Sequence, residues 1–190
     1  QMSLIKDKFQ YYNDLYDIYH DYEGMNNIKT INDNAGIQPV KVDEKIIELL
    51  KLGITMDEKT DGNMNIAMGS VLSIWHDYRE AGSEDPYSAE LPPMDELERA
   101  AEHTDIHNIV IDEEASTVYL TDPDMSLDVG SIGKGYAVQK VAEYAKNELG
   151  IQYMLFSVGG NVCAIGGHPD GSAWAVGIQN PDVESDQAYI

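Results

Sequence analysis

One cysteine in 190 residues leaves no partner for an intrachain disulfide, so no covalent crosslink within the chain constrains the fold. That residue, Cys163, lies in the strand-like run Val162-Cys163-Ala164-Ile165 with no basic neighbour in sequence, and it reads as a small buried hydrophobe rather than a reactive thiol. Basic residues are also scarce. Twelve Lys and Arg against 34 Asp and Glu give a formal net charge of −22, which repels nucleic acid and anionic lipid surfaces and argues against both as partners. No apolar run approaches the ~20 residues of a membrane-spanning helix, and no signal-peptide pattern opens the chain. No serine has the Gly-x-Ser-x-Gly setting of a hydrolase elbow; Ser131 and Ser157 lie beside glycines and read as polar turn residues. Low complexity is absent too: with 43% hydrophobic residues and 7 prolines, the chain can bury a core and is expected to form one domain.

What the sequence does have is a glycine-punctuated segment, Asp128-Val-Gly-Ser-Ile-Gly-Lys-Gly-Tyr136, and a second glycine turn at Gly159-Gly160-Asn161. Met125 to Asp128 reads as a short strand. Tyr136 to Leu149 reads as a helix, with Ala137, Val141, Ala142, Ala145 and Leu149 on one face and Gly150 as its stop. Glycines between a strand and a helix let the backbone approach a ligand, and the amides at a helix start favour an anion. Lys134 adds a mobile positive charge there. The spacing of Gly130, Gly133 and Gly135 is not that of a dinucleotide fingerprint, and Gly135 stands where a Walker loop needs Ser or Thr. By pattern alone, a tight turn with close helix packing explains the glycines equally well.

The rest of the chain alternates helical and strand-like blocks. Ser3 to Tyr22 reads as a helix with too many tyrosines for one face. Asp43 is a predicted N-cap for a helix that carries Ile46, Ile47, Leu49 and Leu50 and runs past Gly53 towards Lys59. Asn65 to Tyr78 places Met68, Val71, Leu72 and Trp75 at helical spacing, predicting a core-facing helix. A loop from Ala81 to Pro93 leads into a short acidic helix from Met94 to Glu102. Asn108 to Asp112 and Ser116 to Leu120 predict a hairpin. Ile151 to Val158 is a predicted strand, and Val162 to Ile165 is expected to pair with Trp174 to Gln179. The predicted fold class is α+β, a mixed or mostly antiparallel sheet packed with helices.

Two metal patterns fail. Asp57, Asp61 and Gly62 suggest a calcium loop, but Lys59 occupies a ligand position and Met68 stands where the closing glutamate belongs. His103 and His107 lie four apart with no third His or Cys nearby, so they read as solvated polar residues.

Four separated blocks, in order TDGNMNIAMGSVLSIW (60–75), DVGSIGKGYAVQKVAEYAKNELGI (128–151), SVGGNVCAIG (157–166) and HPDGSAWAVGIQNPD (168–182), resemble the ApbE family of FAD:protein FMN transferases. Ile31-Asn32-Asp33-Asn34-Ala35-Gly36 resembles that family's Asn-containing segment, so the resemblance covers the chain from about Tyr22 onward. It implies transfer of FMN from FAD to a Ser or Thr hydroxyl of an acceptor protein, with release of AMP and dependence on Mg²⁺. The alternatives are an FAD-binding or storage protein and an FAD pyrophosphatase without protein transfer.

The resemblance also implies residue roles. Lys134 would neutralise phosphate charge and Asp128 would orient the loop, and these two are the catalytic candidates. Tyr22, Asn32, Asp61, Gly130, Ser131, Lys134, Gly159, Gly160 and Asn161 are the flavin-binding candidates; for Asn32, a simple turn role is the alternative. Gly133 would offer its backbone carbonyl to the metal, with the remaining ligands in a downstream part that the sequence does not contain. Met64-Asn65 stands where the family commonly has Phe-Asp, which removes a charge. On this reading the chain is a single ApbE-like domain, residues 1–190, and a fragment: the family's first strands, which belong upstream of Tyr22, are absent or replaced, Gln1-Met2-Ser3-Leu4 does not read as a native start, and Asp186 to Ile190 enters another strand. Such a stretch alone is expected to be weakly active or inactive. The implied partner is an acceptor carrying a flavinylation Thr or Ser, such as a subunit of a membrane redox pump, without nucleic acid or direct membrane contact. The implied location is extracytoplasmic and membrane-anchored.

Overall fold

The computed structural model describes residues 1–181, so the strand expected at 186–190 lies outside the described residues. The chain divides into two compact units, one from Met2 to Ala137 and the other from Val138 onward together with Gln1.

The first unit opens with α1 (Met2–Tyr16), six residues shorter than the tyrosine run suggests. The cause is Asp17, whose Oδ1 accepts from the amides of Tyr19 (2.7 Å) and His20 (3.2 Å) and so offers the backbone a turn in place of another helical bond. Helix α2 (Ile28–Asp33) begins with a capping box between Asn27 and Thr30. Asn27 is fully buried, yet its Nδ2 donates to the carbonyls of Asp14 (3.1 Å) and His20 (2.8 Å), so the side chain ties α1, the turn and α2 together.

Helix α3 (Glu44–Lys59) follows β1 (Val40–Lys41) and starts as predicted, with the Asp43 carboxylate accepting from the Lys45 amide at 2.8 Å. Ile46, Ile47, Leu49 and Leu50 are buried on it, and Gly53 leaves room for Ile66, whose side chain would lie 2.6 Å from an added Cβ. Helix α4 (Gly69–Glu84) starts four residues later than Asn65 and extends three residues beyond Ala81, into the predicted loop. Asn65 does not enter the helix because its Oδ1 accepts from the Ala67 amide and its Nδ2 donates to the Thr104 carbonyl. Helix α5 (Met94–Ala101) forms where expected.

Strands β2 (Ile109–Asp112) and β3 (Thr117–Leu120) form the predicted hairpin, and β1 joins it to give the antiparallel order β1-β3-β2. One core runs beneath these elements, from Leu15 through Ile28, Ile46, Leu50, Ile66 and Val118 to Met125, Leu127 and Val129. The predicted strand at 125–128 takes no regular secondary structure and joins no sheet among the described residues. Its backbone groups are taken up elsewhere: Ser126 O by the Gly69 amide (3.0 Å), the Asp128 amide by Ile66 O (2.9 Å), and both groups of Leu127 by a side chain described below.

Helix α6 is Gly130–Asn147, so it starts six residues before Tyr136 and takes up the glycine-rich segment itself. The second unit begins within α6 and continues into β4 (Met154–Val158) and β5 (Asn161–Ile165). Strand β5 pairs with β4; of the expected partner 174–179, residues 174–178 form no strand and Gln179 is a single bridge residue. Gly159 (φ 52°) and Gly160 (φ 88°) form the two-residue turn that makes this local pairing favourable, since both central positions of such a hairpin need positive φ. Cys163, opposite Phe156 in the ladder, is half-buried rather than fully buried. The fold class is α+β with antiparallel sheets.

Candidate functional site

A cavity of about 910 Å³ opens within the first unit, inside the range of ~300–1,000 Å³ typical of small-molecule sites. Its lining comprises Leu72, Trp75, His76 and Arg79 of α4, Ile18 and Tyr19 of the turn after α1, and a floor of Asn32 with Ser126, Leu127 and Asp128. Helix α4 was expected to face the core, but Leu72 and Trp75 are 40% and 42% exposed and line this cavity.

The floor is rigidly built. Asn32 Nδ2 donates to Leu127 O (3.0 Å), and its Oδ1 accepts from the Leu127 amide (2.8 Å). Asn32 is therefore a helix residue that satisfies a backbone segment 95 positions away, a role beyond that of a turn former. Gly69 packs so closely on Ser126 that a Cβ would lie 2.6 Å from the Ser126 carbonyl oxygen, so residue 69 must lack a side chain for the floor to meet α4.

Asp128 sits at the end of the floor and its Oδ1 accepts from the Gly130 amide (2.8 Å), which holds the first turn of α6. Ile132 and Gly133 donate their amides to Val129 O (3.1 and 2.7 Å), so three amides at this helix start are engaged within the chain. Ser131 and Lys134 are exposed on the first turns of α6. Gly133 is buried, and an added Cβ would stand 3.5 Å from the Tyr16 ring, an ordinary contact.

The aromatic on the cavity wall is Tyr19, whose ring lies 5.3 Å from that of His76 at 32°. Burial, then the negative charge of Asp128, raise its phenol above the ordinary value. Tyr22 is not among the lining residues: it donates to Asp17 Oδ2 at 2.7 Å, and that bond pushes its phenol up to about 12. Burial alone would raise the Asp17 carboxyl, but donation from the Tyr19 amide, Tyr22 and His20 holds it below the usual range. Asp17 thereby fixes the turn that presents Tyr19.

A model of the ApbE family matches residues 2–190. The chain belongs to the ApbE family. Curated relatives named FAD:protein FMN transferase include those of Escherichia coli K12, 26% identical over 162 residues (84% of this chain, 44% of the relative), and Klebsiella pneumoniae strain 342, 28% identical over 163 residues (86% and 47%). The relative from Treponema pallidum is 29% identical over 167 residues, covering 81% of this chain and 44% of its own length. This chain thus spans about half the length of the curated relatives it matches. Among solved structures, the ApbE protein of Thermotoga maritima superposes with a TM-score of 0.78 at 24% identity, covering all of this chain and 59% of that one. The flavin transferase ApbE of Vibrio cholerae gives 0.76 at 22%, covering 95% and 55%. At those identities the likeness shows the ApbE fold.

Of the site residues that the family resemblance suggests, the structure brings Asn32 and Asp128 to the cavity and sets Gly130, Ser131, Gly133 and Lys134 on the helix that leaves its floor. Asp61 is exposed, with φ 52°, in the turn that ends α3, and does not line the cavity. Gly159 and Gly160 form the β4–β5 turn, Asn161 opens β5, and all three lie in the second unit. Sequence reasoning missed Tyr19, Leu72, Trp75 and Arg79 as lining residues; the apolar spacing of 68–75 was visible but was assigned to the core.

Gly133 is the fourth residue of α6, where its carbonyl is directed along the helix towards the amide four residues on. Among the described residues, the His, Asp and Glu side chains close enough to share a metal are His103, Asp122 and Asp124, with ligand atoms within 4.8 Å of one another. An imidazole among carboxylates suits a transition metal better than Mg²⁺. Asp122 already accepts from His103 Nδ1 and from the Asp124 amide, both at 2.9 Å. His107 pairs separately with Asp105 at 2.8 Å, so the two histidines share no ligand role.

Proposed function

We propose that the protein transfers FMN from FAD to a Ser or Thr hydroxyl of an acceptor protein and releases AMP, in a Mg²⁺-dependent reaction. The observation that carries this reading is the cavity itself: in a member of the ApbE family, a cavity of flavin-accommodating size with aromatic and apolar lining reaches Asp128, whose carboxylate accepts from the Gly130 amide at the start of α6. The lining supplies apolar surface for the isoalloxazine ring, and the Asp128 end is where the diphosphate would lie.

In the transfer, the acceptor hydroxyl loses its proton to solvent as its oxygen bonds to the FMN-side phosphorus, the bond from that phosphorus to the bridging oxygen breaks, and AMP departs with that oxygen. Such a reaction depends on alignment and on offsetting phosphate charge. Lys134, one turn into α6, would offset that charge, and Asp128 would keep the helix start in register through its bond to Gly130. The requirement for Mg²⁺ rests on the resemblance, which gives the metal the role of neutralising the departing phosphate when bound. The acceptor's identity as a membrane redox-pump subunit, and an extracytoplasmic, membrane-anchored location, rest on the resemblance as well.

Incubating the full-length protein with FAD, Mg²⁺ and a candidate acceptor, then recording the acceptor's mass and AMP release against a metal-free control, tests the proposal. A metal-dependent gain of one FMN supports it; FAD binding with neither product overturns it. Lys134→Ala should lower AMP release on the order of 10²-fold, the scale of losing one charge-stabilising donor, and unchanged turnover would remove Lys134 from the mechanism.

A further inference from the structure

We propose that Arg79 holds the diphosphate charge of the flavin dinucleotide and that His76 positions Arg79 to do so. This rests on the reading of the cavity as a flavin site. The cavity presents an electrostatic problem: its lining includes the carboxylates Asp77, Glu80, Glu90 and Asp128, in a chain of net charge −22, and the one Lys or Arg among its lining residues is Arg79. A diphosphate entering such a site needs a fixed cation, and a guanidinium offers a planar fork that matches phosphate oxygens.

Arg79 is exposed, and one end of its guanidinium is tethered to a neighbouring imidazole. Its Nη2 lies 2.6 Å from His76 Nδ1, and His76 Nε2 lies 3.0 Å from Glu80 Oε1. A guanidinium only donates, so Nδ1 accepts, the ring proton resides on Nε2, and Nε2 donates to Glu80. Glu80 therefore reaches Arg79 through the imidazole rather than by pairing with it directly, which leaves most of the donors of the fork for a ligand. Tyr19 packs on the His76 ring and limits its rotation. Tyr19, His76, Arg79 and Asp128 all line the same cavity. Leu72, Trp75 and Leu91 leave apolar surface for the uncharged ring system.

The test compares FAD, FMN and riboflavin binding to the full-length protein by flavin fluorescence, for wild type, Arg79→Gln, Arg79→Lys, His76→Asn and His76→Leu. Arg79→Gln should weaken FAD and FMN roughly tenfold or more, the scale of a charge-assisted bond, while riboflavin, which has no phosphate, stays within about twofold. Arg79→Lys should recover part of the loss. His76→Asn, which keeps an acceptor near Nδ1, should bind FAD more tightly than His76→Leu. Equal weakening of riboflavin would mean that Arg79 contacts the ring, and unchanged FAD affinity in Arg79→Gln would mean that it contacts nothing; either overturns the proposal while leaving the flavin site intact. Failure of the wild type to bind any flavin overturns both.

Discussion

Helices α3 and α4 are each 16 residues long and carry apolar residues at helical spacing, yet they end in different surroundings. Helix α3 buries Ile46, Ile47, Leu49, Leu50 and Gly53; α4 buries only Gly69 and Val71, and turns Leu72 and Trp75 to a cavity. The amphipathic pattern identifies a face that prefers not to meet water, but it is silent on whether a neighbouring helix or a bound molecule covers that face. In α3 the apolar stripe contributes to folding. In α4 the same kind of stripe is available for binding.

The sharpest way to break this comparison is to truncate one large side chain on each helix. Leu49→Ala should cost about 2–5 kcal/mol of unfolding free energy in a denaturant titration, since the site is fully buried. Trp75→Ala should cost less than ~1 kcal/mol of stability, as befits a partly exposed side chain, while FAD affinity measured by fluorescence falls about tenfold or more through the lost aromatic contact. Similar stability losses in both variants, with FAD binding intact in Trp75→Ala, would erase the distinction.

A third helix sharpens the comparison in the opposite direction. Gly133 lies in α6 with helical backbone and room for a methyl group against Tyr16, so Gly133→Ala should raise stability by about 0.5–1 kcal/mol, readable as an increased thermal midpoint. A loss of stability would show that the glycine is held by a contact that the Cβ disrupts.

The smallest effect belongs to the pair outside the cavity. Hydrogen bonding to Asp122 raises His103 above its ordinary value, and the same bond lowers the Asp122 carboxyl. For His103, the stabilisation is fully present below the unfolded value near 6.5 and is lost as pH rises through the raised folded value. For Asp122, it is present above the unfolded carboxylate value and is lost as pH falls through the lowered one. The stability of the wild type relative to Asp122→Asn should therefore be greatest in mildly acidic solution and shrink towards neutral and alkaline pH. NMR titration of His103 should show its pKa falling in that variant; an unmoved value would mean that the pair does not persist in solution.

The parts of the fold legible in the sequence were those set by neighbours in the chain. Asp43 caps α3, and the four residues Glu113 to Ser116 join β2 to β3, because a cap and a short hairpin involve only a few consecutive residues. Helix α6 starts earlier than the glycines Gly130, Gly133 and Gly135 suggest, because Val129 is buried in the core and Tyr136 packs against that core and donates to Glu48 at 2.6 Å. The partner of β5 was misassigned because two glycines at 159–160 allow a tighter hairpin than the longer loop after Ile165. In the candidate site, Asn32 and Asp128 were found through the family resemblance. Tyr19 was hidden among five tyrosines, since only the Asp17 turn decides which of them reaches the cavity.

The bond pair between Asn32 and Leu127 has a consequence for the order of events during synthesis. It closes a loop of 95 residues, and joining such distant points carries an entropic cost that only the assembled unit repays. A nascent chain that has left the ribosome as far as β3 can form α1 to α5 and the hairpin, but its binding floor is still missing. Competence to hold a ligand therefore arrives late and all at once, when residues 125–129 emerge and dock, and a stalled or shortened chain would carry most of the helices without a place to bind.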